Sequence, residues 1–219
     1  MTNTLQKMLL GSALALGLGV TAPAGAEELR IGFLAPTTGI FAQLGKDMVD
    51  GFQLYLDQVK GDFAGAKVKF IVEDEQGKPA TAVLKASKLI GEDKVHMLVG
   101  GLLASTGYAL APESTRAKVL YIASVPSADD LTQRKLAEFP YFFRTGWTSS
   151  QPTQPQGQWA CEQGYKKIVT VAADYAFGYE AVGGFQKVFE DCGGKIIQKI
   201  WPPLGTKDFG PYISTIKGD

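Results

Sequence analysis

The chain has 219 residues, 45% of them apolar and 20% charged, with 22 Lys+Arg against 22 Asp+Glu, one His and two Cys. A mean hydropathy of +0.01 fits a chain able to bury a core, which excludes a disordered or collagen-like polymer. Zero net charge leaves no surplus of Lys or Arg to neutralise phosphates, so nucleic acid is not an expected partner. A lone His96 excludes multi-His metal centres, Cys161 and Cys192 stand too far apart for a CxxC pair, and no cofactor or metal is implied.

The chain opens with Lys7, an apolar run from Met8 to Val20 and Ala24-Gly25-Ala26 before Glu27. A positive start, a short apolar run and a small-x-small site are the features of a secretory signal peptide, placed at residues 1–26. The run is short for a bilayer span, and no Cys at the cleavage point offers a lipid anchor. Export puts the two Cys in an oxidising compartment, where a pair reads first as a disulfide and second as two buried thiols.

Past the leader, Leu29–Ala35, Ala66–Glu73, Val95–Gly101 and Val119–Ser124 are short apolar runs rich in β-branched residues and bounded by Gly, Pro or charge, as buried parallel strands are. Between them Met48, Phe52, Tyr55, Leu56 and Val59, then Ala82, Val83, Ala86, Leu89 and Ile90, repeat at helical spacing. Alternation of this kind predicts right-handed βαβ units in a doubly wound α/β lobe over residues 27–143.

After Tyr141-Phe142-Phe143-Arg144 the pattern restarts. A helix over Gln151–Gln163, a strand over Ile168–Ala173, a helical stripe of Phe177, Ala181, Phe185, Val188 and Phe189, a strand over Lys195–Trp201 and a helix from Pro211 make a second α/β unit over residues 144–219. Two strands are few for a sheet, so this lobe is expected to be partial and the chain part of a longer one. Cys161 and Cys192 each fall near the end of a predicted helix, with one strand between them, which makes a bridge geometrically possible.

Ligands of open α/β sheets bind beyond the carboxyl ends of the strands. The loops there are Pro36 to Gly45, Gly100 to Gly107 and Ser124 to Ala128, with hydroxyls and glycines and no charge. Each Ser or Thr there has two readings: an ordinary helix cap, or a group that helps unpaired helix N–H donors hold a small carboxylate. In the second unit, Tyr175 lies off the apolar stripe and is expected to face a cleft. Phe177 opens that stripe and reads equally as core or cleft, and Trp147 reads as cleft lining or hinge packing.

Thr38-Gly39-x-x-Ala42-Gln43-x-Gly45, Gly100-Gly101 through Thr106, Phe143-Arg144-Thr145, Asp174-Tyr175-Ala176-Phe177-Gly178 and Lys207-Asp208-Phe209 occur in one order. Together they resemble the leucine/isoleucine/valine-type periplasmic solute-binding proteins of ABC importers, over a span from about Leu29 to the end. The resemblance implies a type I periplasmic binding protein fold of two Rossmann-like lobes closing on an amino acid or related carboxylate. It further implies a periplasmic monomer that hands its ligand to an ABC permease in the inner membrane.

Carried over by position, the resemblance places the ligand carboxylate on Ala104, Ser105 and Thr106 and on Val125 and Ser127, with Phe177 as the second-lobe aromatic. Ala104 stands where such receptors usually carry a hydroxyl and Leu44 where they often carry an aromatic, which implies a more apolar pocket. The acidic partner of a ligand ammonium is expected beyond Asp219, leaving amino acids and ammonium-free aromatic acids both open. Two other classes stand beside this one. A ligand-sensing receptor domain shares the fold, and an exported α/β hydrolase needs a base beside a nucleophile, whereas no GxSxG motif occurs and His96 falls in or at the end of a predicted strand.

Overall fold

In a computed structural model the protein is described over residues 28–216 and 218; the expected signal peptide lies outside the described residues. The first half runs β1 (Glu28–Ala35), α1 (Ala42–Gln58), β2 (Asp62–Phe63), β3 (Ala66–Asp74), α2 (Pro79–Gly91), β4 (Met97–Gly100), α3 (Ala104–Ala117), β5 (Leu120–Ala123) and β6 (Phe142–Arg144). These strands form one sheet in the order β2-β3-β1-β4-β5-β6, parallel except for the short antiparallel β2. Phe33 at the centre of β1 pairs with Val72 of β3 and Val99 of β4.

Two helical layers follow from strand alternation, which sends successive side chains to opposite faces. On one face Leu34, Leu98, Tyr121 and Phe142 pack against Ala82, Ala86 and Leu89 of α2 and Leu110 and Ala111 of α3, all buried. On the other, Ile31, Phe33, Ala35 and Val99 meet Met48 and Phe52 of α1. Phe33, Phe52 and Phe70 form an aromatic triad with ring centroids 4.8 to 5.4 Å apart. Tyr55 of the predicted α1 stripe is instead half exposed.

The second half runs α4 (Gln154–Glu162), β7 (Lys167–Val171), α5 (Ala176–Asp191), β8 (Lys195–Ile200) and α6 (Gly210–Ile213), with β7 and β8 paired in parallel. The helices α4 and α5 approach closely because Gly157 faces the Phe185 carbonyl, where a Cβ would come within 2.6 Å. Their packing brings Cys161 and Cys192 to a Cα separation of 6.5 Å, and the two are joined by a disulfide; the alternative of two thiols is set aside.

The predicted strands and helices all occur, with shifted ends. The strand expected from Val95 starts at Met97: the Val95 N–H bonds back to the Leu89 oxygen of α2, while His96 already bonds the Arg30 oxygen of β1. Pro152 precedes α4, and Pro155 sits in its first turn, where a missing N–H costs nothing. Strands β2 and β6 are too short to leave a periodic signal. β6 pairs in parallel with β5, so Phe142–Arg144 completes the first sheet. No helix among the described residues is long and apolar enough to cross a membrane.

Replacing Cys161 and Cys192 together by Ala opens a 31-residue connection. Urea unfolding should show a loss of about 3 to 4 kcal/mol from chain entropy; an unchanged midpoint would remove the bridge from the stability account.

Candidate functional site

The carboxyl ends of β1, β4, β5 and β7 point to one region, and a hollow of about 190 Å³ lies there between the two sheets' loops. The glycine pair after β4 builds its floor. Gly100 and Gly101 have φ of +99° and +74°, and a Cβ on Gly100 would sit 2.3 Å from the Leu34 carbonyl oxygen. Only glycine takes this conformation at that approach. The Gly101 N–H donates to the Leu34 oxygen at 2.7 Å, so β4 turns over the end of β1 and delivers Leu102, Leu103 and Ala104 to the hollow.

The helix α3 starts there with Leu103 as its N-cap and no side-chain cap. The N–H groups of Ala104 and Ser105, the first two helical positions, have no intrahelical acceptor and carry the positive end of the helix dipole. From β5 come Val125, 43% exposed, and Ser127, whose Oγ lies 2.9 Å from Ser149 Oγ on the crossover. From the start of α1 come Phe41 and Leu44, from the crossover Trp147, and from the start of α5 Tyr175 and Phe177, with ring centroids 6.0 Å apart.

Seven of the nine expected ligand residues therefore share this hollow: Leu44, Ala104, Val125, Ser127, Trp147, Tyr175 and Phe177. The ambiguous aromatic Phe177 turns to the hollow, while Phe189 fills the core of its helix. Ser105 and Thr106 are not brought into it. Thr106, at the third position of α3, turns inward, is fully buried and donates its hydroxyl to Glu75 Oε2 at 3.3 Å. The Thr38 hydroxyl of the first loop is also committed to the protein. Thr38 Oγ1 donates to Asp74 Oδ2 at 2.6 Å, and the Thr37 N–H to Asp74 Oδ1 at 3.0 Å. These bonds tie the β1 loop to the end of β3.

Phe41, Leu102, Leu103 and Glu75 were not singled out from sequence. Phe41, Leu102 and Leu103 read as ordinary apolar loop residues, and Glu75 as one more charge in the Glu73-Asp74-Glu75 run. Glu75 is the exception in the core: its side chain is fully buried, and Oε1 has no hydrogen-bond partner. Burial pushes its carboxyl up to about 7, against the opposing effect of the Thr106 hydroxyl and the Leu102 N–H. Tyr121, also fully buried, donates to the Gly100 oxygen at 3.2 Å and is itself pushed upward by burial and by Glu75.

The lobes meet beside the hollow. The Ser149 N–H donates to the Ser127 oxygen at 2.8 Å, and the Ser150 N–H to Asp129 Oδ1 at 3.1 Å. Arg144 donates to the Ala128 oxygen, and Tyr108 of α3 to Glu180 of α5. His96 lies at the opposite, amino end of β4, where its Nδ1 accepts the Arg30 N–H at 3.0 Å. All side chains lining the hollow are uncharged and, apart from Ser127 and the Tyr175 phenol, apolar.

A model of the family described as periplasmic binding protein matches residues 28–219. The Leu/Ile/Val-binding protein homolog 6 of Brucella abortus is 28% identical over 214 residues, covering 96% of this chain and 53% of the relative. A solute-binding protein of an ABC transporter from Rhodopseudomonas palustris BisB5, solved in complex with 3,4-dihydroxybenzoic acid, is 33% identical with a TM-score of 0.78 over 85% of this chain and 50% of that one. A second R. palustris solute-binding protein, in complex with benzoate, is 28% identical with a TM-score of 0.79 over 85% and 51%. The chain thus spans about half the length of the relatives it matches. The parallel sheet, flanking helices and second lobe are those of the type I periplasmic binding protein fold.

The buried Glu75 sets a pH dependence of folding. Its carboxyl ionises at about 7 in the folded chain against 4.5 unfolded, so the folded state holds the extra proton between those values. Its stabilising contribution is complete below about pH 4.5 and is lost as pH rises through about 7, a change on the order of 3 kcal/mol. Thermal melts from pH 5 to 8 should show that decline, and Glu75→Gln should flatten it; a parallel decline in the variant would assign it elsewhere.

Proposed function

From the chain's membership of the periplasmic binding protein family, we propose that it is a solute receptor that captures a small carboxylate between its lobes for an ABC importer. The family implies a periplasmic location, and the signal-peptide features of residues 1–26 supply the export route. The observation that carries the reading is the convergence of the uncapped α3 N-terminus with an uncharged, aromatic-walled hollow. Donors there can hold an acid group without Arg or Lys, while Trp147, Tyr175 and Phe177 cover an apolar body. With Ser105 and Thr106 absent from the hollow's lining, the backbone N–H groups of Ala104 and Ser105 and the Ser127 hydroxyl are the acid-binding donors.

Among carboxylates, an aromatic acid suits the site best, because a ligand ring gains from contact with the Trp147, Tyr175 and Phe177 rings that line the hollow. The solved relatives that bind benzoates agree with this choice. Capture joins the first-lobe donors to the second-lobe aromatics by a hinge motion at the crossover, and the closed shape is what an inner-membrane permease recognises. Nothing in the mechanism makes or breaks a covalent bond: the receptor is not an enzyme.

Calorimetric titration at pH 6 with 3,4-dihydroxybenzoate, benzoate and leucine should give saturable heat for the aromatic acids, with Kd near micromolar, about −8 kcal/mol. Phe177→Ala should weaken binding by roughly tenfold, the loss of one ring contact and its buried area. Trp147→Phe should retain binding but abolish the ligand-induced change in tryptophan fluorescence. No heat for any of the three acids would overturn the reading.

A further inference from the structure

Glu75 is a fully buried side chain at the end of β3 with one unpartnered oxygen, and it lies on the inner side of the loop that forms the hollow's floor. Thr106, two residues beyond Ala104, binds its Oε2, and the Leu102 N–H faces the same carboxyl. The outer side of the same loop presents Leu102, Leu103 and Ala104 to the hollow. One turn of α3 therefore has an anion site on one side and a carboxyl group on the other.

Two negative charges at one helix terminus repel each other and draw on the same dipole. We propose that Glu75 is a specificity-determining residue for acid ligands: neutral, it supports the α3 terminus for a ligand carboxylate, and ionised, it opposes that ligand, so capture of an acid takes up a proton at Glu75. This rests on the carboxylate-receptor reading and deepens it. The geometry agrees with a group held near neutrality, since burial without a cation raises a carboxyl toward physiological pH. The ionisable groups that act on it are Asp74 on its own strand and Tyr121 on β5. The Asp74 carboxylate repels its charge, and the Tyr121 hydroxyl gives it no hydrogen bond, being committed to the Gly100 oxygen. Arg144 of β6 acts on Tyr121 rather than on Glu75.

The test is calorimetry of benzoate on the full chain between pH 6.5 and 8, where benzoate itself stays ionised, in two buffers of different ionisation enthalpy. The expected results are a roughly five- to tenfold rise in Kd across that range and net proton uptake on binding that peaks above pH 7. Glu75→Gln, checked for fold by circular dichroism, should bind with a pH-independent Kd close to the wild-type value at pH 6.5. Because buffer-dependent heat is read on the wild-type chain, a variant that fails to fold leaves the proposal decidable. Binding present but proton-neutral and flat with pH overturns this proposal alone; heat absent at every pH overturns the carboxylate reading and this proposal with it.

Discussion

The turn from β4 across the end of β1 is the constraint from which the site follows. Gly100 passes so close to the Leu34 oxygen that any Cβ would overlap it, and Gly101 hydrogen-bonds that same oxygen. Both glycines adopt positive φ, a conformation that costs side-chain-bearing residues about 1 kcal/mol or more even without the overlap. Because the chain turns there, α3 begins at the sheet's carboxyl edge with its free N–H groups toward the hollow. Space on the inner side of the turn is filled by Tyr121, Thr106 and Glu75, so the floor of the hollow and the polar core beneath it are one packing unit.

The second constraint is the crossover. Thr148, Ser149 and Ser150 are buried; the Ser149 hydroxyl donates to the Ser127 oxygen and the Ser150 N–H to Asp129, while the Thr148 hydroxyl has no partner. Gly184 of α5 comes so close to Ser150 that a Cβ would sit 2.5 Å from its carbonyl oxygen. The crossover is thereby fixed to both halves, and Trp147, immediately before it, is left 65% exposed over the hollow. An exposed tryptophan beside exposed Leu44, Val125 and Phe177 is a concentration of apolar surface that a folded chain retains where a partner or ligand covers it.

The two halves of the site obey different chemistry. Its walls are aromatic and aliphatic and come from both lobes; its polar end comes from backbone and one serine. The family includes proteins named for amino acids and proteins solved with benzoates. The residue beneath the polar end is the only fully buried carboxyl among the described residues.

By itself the sequence determined the alternation of strands and helices, because hydrophobic period and Gly/Pro punctuation are local signals. The composition of the hollow's walls was legible in part: Trp147 and Tyr175 fall after strands, and Leu44, Val125 and Phe177 stand where the family resemblance placed them. Only the tertiary structure decided what each hydroxyl does. Thr38 and Thr106 have partners, Asp74 and Glu75, 36 and 31 residues away, and no local pattern encodes such a pairing. The same holds for β6, three residues long and stable only as an addition to β5, and for Glu75, whose burial depends on α3 and β5 closing over it. Separation in sequence is the physical reason in each case: period and propensity report neighbours along the chain, while desolvation and hydrogen-bond assignment report neighbours in space.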